Sequence, residues 1–373
     1  MQFSLTDLQK EIKENAEKLL SEKIDTLETI RKIDENTRLD EDLWKLVIEQ
    51  GWLALDVPEE EGGLGFSIVD TAILSEVLGY YMPIIPLFSS GIVFKQLVMH
   101  SSDELKARIL PEIISGEKIG SFAIYENDKY EINKENISTE MNKNDDGWVI
   151  NGTKKYVMFG DSSDYLAVLV KEGENFKFVL INQDDKGVTI TETTSLDQTR
   201  PMCEIDFKDV QIDQQNIMIE LDDELSQWNK VKNIALAFLS MEQVGGAQAC
   251  LDMSTEYAKE RIQFGRPIGS FQAIQHICAD MLLKIESAKS LAYSSVRADT
   301  EDIVELEMGA LMAKSYCSEV FNKVAGDNIQ VHGGIGFTWE HPAHLYFKKA
   351  KSDSLLFGTS KSARSEIANL IDL

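Results

Sequence analysis

The sequence predicts an α+β protein with a helical N-domain (residues 1–115), an antiparallel β middle domain (116–225) and a C-terminal four-helix bundle (226–373). Three observations predict it. The hydrophobic period is near 3.6 at both ends and changes to two in the middle. The chain of 373 residues exceeds the ~250–300 at which single cores stop growing. Hairpin-type turn signals, Asp146-Gly147 and Asn151-Gly152, fall in the central stretch.

The N-terminal elements follow in order. Thr6-Asp-Leu-Gln9 is a capping box that opens a helix with Leu8, Ile12, Ala16 and Leu19 on one face. A helix over 41–50 stops at Gly51, and the acidic, Gly-rich run Trp52 to Phe66 reads as a loop. Further helices are expected to about Leu78, over Leu87–Met99, and from a cap at Ser101-Ser-Asp-Glu104 to near Gly116.

From about Lys118 the pattern alternates. Asp146-Gly147 and Asn151-Gly152 are turn signals, and the second predicts a type I′ hairpin between Trp148-Val-Ile and Lys155-Tyr-Val-Met. Strands are expected at 165–170, 176–181, 188–191 and 203–207.

Helical stripes then return. Val244, Ala247, Leu251, Thr255, Ala258 and Ile262 line a helix expected to end at Gly265. A second stripe runs from Phe271 through Ile285 to Ala292, a third from Ile303 through Cys317 to Val324, and a last helix carries Ala363, Ile367 and Leu370. Short loops between long helices indicate an antiparallel bundle.

Composition narrows the function. The net charge of −26 argues against nucleic-acid binding, and any polyphosphate ligand needs a local basic pocket within a repelling field. No run of ~18 uninterrupted apolar residues suggests membrane insertion, and the N-terminus has no signal-peptide pattern. Cytoplasmic localisation is the expectation. The 4 cysteines lack metal spacing, and Cys278 and Cys317 fall on apolar stripes, as core thiols in a reducing compartment do. No metal is expected. Trp339, Glu340, His341 and His344 read as helix entry and subunit packing, since Cys or Asp at ligand spacing is absent nearby.

Two C-terminal motifs go beyond what a bundle requires. The Arg261-Ile-Gln-Phe264-Gly265 corner keeps an Arg and a Phe beside an open turn, and Gln330-Val-His-Gly333-Gly334-Ile-Gly-Phe337 is a Gly-rich loop after a long helix. Together, with this spacing, they resemble the acyl-CoA dehydrogenase family, and all three domains fall in that family's order. The resemblance implies FAD as cofactor. It places Arg261, Phe264 and Gln272 at the pyrophosphate and adenosine of a neighbouring subunit's FAD, with Gln330, Gly333 and Gly334 against the same dinucleotide. It also implies an acyl thioester substrate, an electron acceptor such as electron-transfer flavoprotein, and a homo- or hetero-oligomer, dimer or tetramer.

The family reaction is α,β-dehydrogenation: a carboxylate in a dry cleft removes the α-proton while the β-carbon gives hydride to the flavin. Here the two usual base positions fall on Phe357, in Leu356-Phe-Gly-Thr359, and on or beside Ala235. In the middle domain Tyr125 stands where the family's flavin-contacting Thr lies, in the run ending at Asp128. In the second flavin motif Tyr156 remains able to stack and Met158 has no donor. Thr359 persists, followed by Lys361 in place of a Gln.

Two acids remain as candidate bases. Glu242, about 10 Å beyond Ala235 along one helix face, is either functional or paired with a buried base. Asp353, one turn before Phe357, is either functional or a helix cap. His332 reads as a loop or phosphate-side hydrogen-bonding group. The block 242–280 with Phe337–Pro342 looks most like a bacterial branch that includes steroid-side-chain acyl-CoA dehydrogenases, some of which pair unlike subunits with one base between them. The resemblance thus leaves three readings: an FAD-dependent acyl-CoA or acyl-carrier-protein dehydrogenase, a non-catalytic subunit sharing an FAD site, and a flavin oxidase or monooxygenase.

Overall fold

The computed structural model describes all residues except 1–4, 25–26, 128–131, 133–134, 145–146, 224 and 299–301. The expected helix–sheet–helix order is present. N-terminal helices are α1 (Asp7–Lys23), α2 (Glu28–Asp34), α3 (Glu41–Glu49), α4 (Ile68–Tyr81), α5 (Lys95–Met99) and α6 (Asp103–Ile114). Strands follow as β1 (Gly120–Ala123), β2 (Glu140–Asn144), β3 (Gly147–Met158), β4 (Tyr165–Glu172), β5 (Asn175–Asn182), β6 (Val188–Thr193), β7 (Met202–Ile212) and β8 (Ile217–Glu220). Then come α7 (Ser226–Glu260), a minimal pair β9 (Ile262–Gln263) and β10 (Arg266–Pro267), α8 (Gln272–Val296), α9 (Ile303–His332), α10 (Ala343–Asp353) and α11 (Ser360–Leu370).

The chain forms two compact units that interleave in sequence: Met1–Asn36, Ile68–Pro83 and Leu236–Leu373 in the first, Thr37–Ser67 and Ile84–Ala235 in the second. In the first unit α9 is the central helix. It bonds α7 through Gln243 to Ser318 (3.1 Å) and Ser254 to Asn328 (2.8 Å), and α8, α10 and α11 also pack on it. The expected bundle corresponds to α7, α8, α9 and α11, with α10 as an additional short helix. Where α4 crosses α7, a Cβ on Gly79 would sit 1.8 Å from the Glu242 carbonyl oxygen, and one on Gly245 1.8 Å from that of Glu76. Only glycine permits this backbone approach. The capping box at Thr6 forms, but the buried face of α1 carries Ala16 and Leu20 while Leu8 is 45% exposed.

The second unit is organised on the sheet β6-β7-β3-β2-β4-β5-β8, with β1 beside β4. Most pairs are antiparallel, as expected, but β1 runs parallel to β4 and β2 meets β4 in parallel at Glu140, so the sheet is mixed. Ile150, Val157, Val168, Ile181 and Ile205, all fully buried, fill its core.

Several local expectations need correction. The Asn151-Gly152 hairpin does not form: both flanking segments belong to the single strand β3, with a register shift between Ile150 and Gly152. Gly152 has φ +152°, and a Cβ there would lie 2.5 Å from the Thr139 hydroxyl, so the glycine serves a bulge and a close strand crossing rather than a turn. The other signal, Asp146-Gly147, includes a residue outside the described ones, although β2 and β3 on either side pair Asn144 with Gly147. Helix α2 was not anticipated. The stretch Leu87–Phe94 is π-helical and fully buried rather than α-helical. Helix α7 ends at Glu260, before the corner, and Ile262 is 61% exposed. Cys317 is buried as expected, whereas Cys278 is only half-buried. Among the described residues one helix, α7, is long and apolar enough to cross a membrane, but 94% of its apolar window is buried inside the protein.

Candidate functional site

The corner after α7 is built from backbone. The Arg261 amide completes the helix by donating to the Tyr257 carbonyl (2.8 Å), and its carbonyl accepts from the Ile268 amide (2.8 Å). Between them β9 and β10 close a tight loop whose tip is Phe264 (φ +52°) and Gly265 (φ +78°). A left-handed phenylalanine is costly. Its side chain is nevertheless 91% exposed, with only an edge contact to Phe271 (centroids 6.1 Å), over which the Arg266 guanidinium lies at 4.0 Å. Arg261 and Gln272 are exposed as well.

The Gly-rich loop begins where α9 ends. Gln330, Gly333 and Gly334 are exposed, and Gly333 adopts φ +64°. A Cβ on Gly265, Gly333 or Gly334 would meet nothing within 4 Å. These glycines therefore expose bare backbone to open space instead of packing against the fold. The two motifs are joined by an aromatic stack: Tyr257, in the last turn of α7, lies 4.4 Å from the His332 ring, which lies 4.2 Å from that of His341. His332 Nδ1 is bonded to the Asn328 carbonyl (2.8 Å), while its buried Nε2 has no partner among the described residues. Burial pushes the His332 and His344 imidazoles down; burial and then the neighbouring His332 and His344 push His341 down to about 4.

The two positions at which the resemblance expects a base carry no acid. Ala235 is buried, and Phe357 (8% exposed) takes φ +56° before Gly358 at φ +105°. Glu242 and Asp353, placed apart by the sequence, converge on one lysine in the first unit. Lys349 Nζ is 2.7 Å from Glu242 and 3.4 Å from Asp353, and Lys314 Nζ donates to the Asp353 carbonyl (2.6 Å). All four residues are buried. Each candidate base therefore sits in an ion pair with the same ammonium. Sequence reasoning missed Lys349. It also missed Asn233, two residues before Ala235, fully buried with both amide atoms unpartnered among the described residues. For Asn233 the available signal was a polar residue at the head of the apolar run Ile234–Leu239; Lys349, one of three lysines in α10, carried none.

In the second unit the middle-domain positions are largely built into the scaffold. Tyr125 is buried and its carbonyl accepts from Lys155 (2.7 Å); Met158 is buried and its carbonyl accepts from the Ser121 hydroxyl (2.6 Å). Tyr156, at φ +56°, is 36% exposed. Lys154 is fully buried at 2.6 Å from Glu126; burial pushes its ammonium down to about 8 against the pull of that carboxylate. Asp128 lies outside the described residues. In the first unit the Thr359 hydroxyl accepts from the Ser362 amide (3.1 Å), which caps α11. Among the described residues no group of three metal-ligating side chains occurs.

Comparison with known proteins follows this geometry. Family models for the acyl-CoA dehydrogenase N-terminal, middle and C-terminal domains match residues 6–117, 121–210 and 236–371. Among curated relatives, the acyl-CoA dehydrogenase IpdE2 of Mycobacterium tuberculosis is 30% identical over 85% of this chain and 82% of its own. Among solved structures, butyryl-CoA dehydrogenase from Megasphaera elsdenii superposes with a TM-score of 0.91 at 23% identity, covering 100% of both chains. A chain of the ChsE4-ChsE5 complex from Mycobacterium tuberculosis gives 0.89 at 22% identity, covering 100% of this chain and 99% of that one. At these identities the structural likeness speaks to the fold.

Proposed function

The chain belongs to the acyl-CoA dehydrogenase family of flavoprotein oxidoreductases, and from that premise we propose that it is an FAD-binding acyl-thioester dehydrogenase subunit that takes its catalytic base from a partner chain. The observation that carries this reading is the pairing of both candidate carboxylates, Glu242 and Asp353, with Lys349, while Ala235 and Phe357 stand at the usual base positions.

The corner fits the cofactor. Arg261 offers charge-assisted hydrogen bonds to a pyrophosphate. Gly265, Gly333 and Gly334 leave room for a dinucleotide against the backbone. Phe264 offers an exposed ring face, with Gln272 and Gln330 as neutral donors and acceptors. Tyr156 is open to stacking, whereas Thr359 is engaged as a helix cap. Bound FAD supplies the acceptor for the β-hydride equivalent. The chain's own part is to hold the dinucleotide; no side chain at 235 or 357 can take the α-proton.

The partner this reading requires is a second chain of the same fold with a carboxylate at one of those positions. The neighbour solved as a ChsE4-ChsE5 complex supports a heteromeric assembly. Electron-transfer flavoprotein is the proposed electron acceptor, the cytoplasm the proposed compartment, and 1–115, 116–225 and 226–373 the proposed domains. A second reading, dehydrogenation by the isolated chain through Glu242, draws on the burial of that carboxylate on α7.

Purification of the chain alone, a flavin spectrum, and a survey of acyl-CoA thioesters for flavin bleaching test the proposal. It expects little or no bleaching alone and restored turnover when a base-bearing partner is co-expressed. Rapid bleaching by the isolated chain that disappears in Glu242→Gln establishes the second reading instead.

A further inference from the structure

Away from the corner and the Lys349 network, the first compact unit holds two adjoining cavities whose chemistry is unlike that of a dinucleotide site. One, of about 260 Å³, opens between α1, α4 and α7, and its walls include Lys13, Glu17, Glu76, Tyr80, Gln248 and Asp252. The other, of about 120 Å³, lies across Tyr80 and Tyr81, which line both, and is walled mainly by apolar groups such as Ile24, Met82, Ala249 and Met253.

The charges in the larger cavity are unevenly matched. Lys13 and Lys289 both reach Glu76, at 2.9 and 3.2 Å, and the Tyr293 hydroxyl donates to it at 2.5 Å. Glu76 is thereby satisfied, and although burial alone would raise its carboxyl, Lys13, Lys289 and Tyr293 hold it below the usual range. Asp252 differs. The Tyr80 hydroxyl (3.0 Å) and the Gln248 amide (2.8 Å) fix one oxygen each, and neither donor is charged. Among the described residues no cation lies within ion-pair distance of Asp252, and Glu17 is only 3.9 Å from Lys13 in a loose pair. A partly buried carboxylate that is oriented by neutral donors gains most from a cation. Two tyrosine rings, 5.0 Å apart and tilted, stand beside it for cation–π contact. The apolar cavity behind them suits a short hydrocarbon tail.

We propose that these cavities form a binding site for a primary alkylammonium, with its charged head on Asp252 between the tyrosines and its tail among Met82, Ala249 and Met253. The acidic excess on the walls disfavours an anion. The site is independent of flavin and of the base question.

Calorimetric titration of the full chain at pH 7 with n-butylamine as probe tests it, with 1-butanol and butyrate as comparators of the same tail. Saturable binding of butylammonium is expected, with 1-butanol at least about tenfold weaker and butyrate not bound. Asp252→Asn is expected to weaken butylammonium by about tenfold or more. Glu17→Gln, at a side chain 47% exposed and therefore safe for folding, should weaken it severalfold by lowering the field. Absence of saturation, equal binding of butanol or butyrate, or unchanged affinity in folded Asp252→Asn overturns the proposal.

Discussion

The corner around Arg261 and the network around Lys349 lie in the same compact unit, and both carry groups that a helical bundle does not need. They treat those groups in opposite ways. At the corner an arginine, a left-handed phenylalanine and three glycines face open space. In the network two lysines and two carboxylates are buried and packed against each other. Exposed groups with strained or bare backbone belong to a surface made for something else to complete, since neither exposure nor strain helps the fold. Buried groups whose charges are matched locally fit a scaffold role under the proposed reading, because both carboxylates are already ion-paired with Lys349. The comparison teaches that proximity to an expected catalytic position is a weaker guide to chemistry than what the carboxylate is paired with.

The sharpest way to break the comparison is to remove the lysine. Lys349→Met should destabilise the chain by about 3–5 kcal/mol, because Glu242 and Asp353 would remain buried without their shared cation. Urea unfolding measures it, and a loss below about 1 kcal/mol would mean that the network is not scaffold. Next in size, Arg261→Ala should leave unfolding stability within about 0.5 kcal/mol, as an exposed position does. The same variant should weaken FAD binding by roughly ten- to a hundredfold through loss of a charge-assisted bond. Flavin content after dialysis reads this directly, and undiminished stoichiometric FAD would remove the corner from the cofactor site.

A smaller effect distinguishes room from conformation. Gly333→Ala meets no neighbour, so only its backbone conformation (φ +64°, ψ −137°), a region nearly confined to glycine, opposes it, at about 1–3 kcal/mol. Because the added methyl occupies the open side of the loop, FAD affinity should fall more than stability does. Equal losses would indicate a loop built for the fold alone.

The smallest expected effect, once solvent screening of the half-buried His341 is allowed for, is a pH dependence of the aromatic stack between the motifs. His341 titrates at about 4 in the folded chain, below the ~6.5 of an exposed histidine. Between those values the unfolded chain holds a proton that the folded chain lacks. The stability is therefore complete above about 6.5 and declines as pH falls through about 4. His332 and His344 are displaced in the same direction, and Lys348 opposes protonation of His344. Thermal unfolding from pH 7 to pH 4.5 should show the decline, and His341→Gln should flatten it. An unchanged slope in that variant would assign the dependence to other groups.

What the sequence determined by itself was periodic or local. Hydrophobic spacing placed the long helices and most strands, Thr6 and Gln9 announced their own capping box, and the two C-terminal motifs with their spacing identified the family. The absence of an acid at 235 and 357 was equally legible, since it depends on residue identity at a fixed offset. Tertiary structure decided what depends on partners distant in the chain. Gly152 looked like a hairpin turn, but the close approach of Thr139 made it a bulge within a continuous strand. Leu87–Phe94 was expected to be an ordinary helix and is π-helical. Glu242 and Asp353 were candidates on equal terms with any buried acid until Lys349, over a hundred residues from the first, was found between them. Local propensity is written in neighbouring residues, whereas the ionisation and use of a buried carboxylate are set by whichever charge the folded chain brings against it.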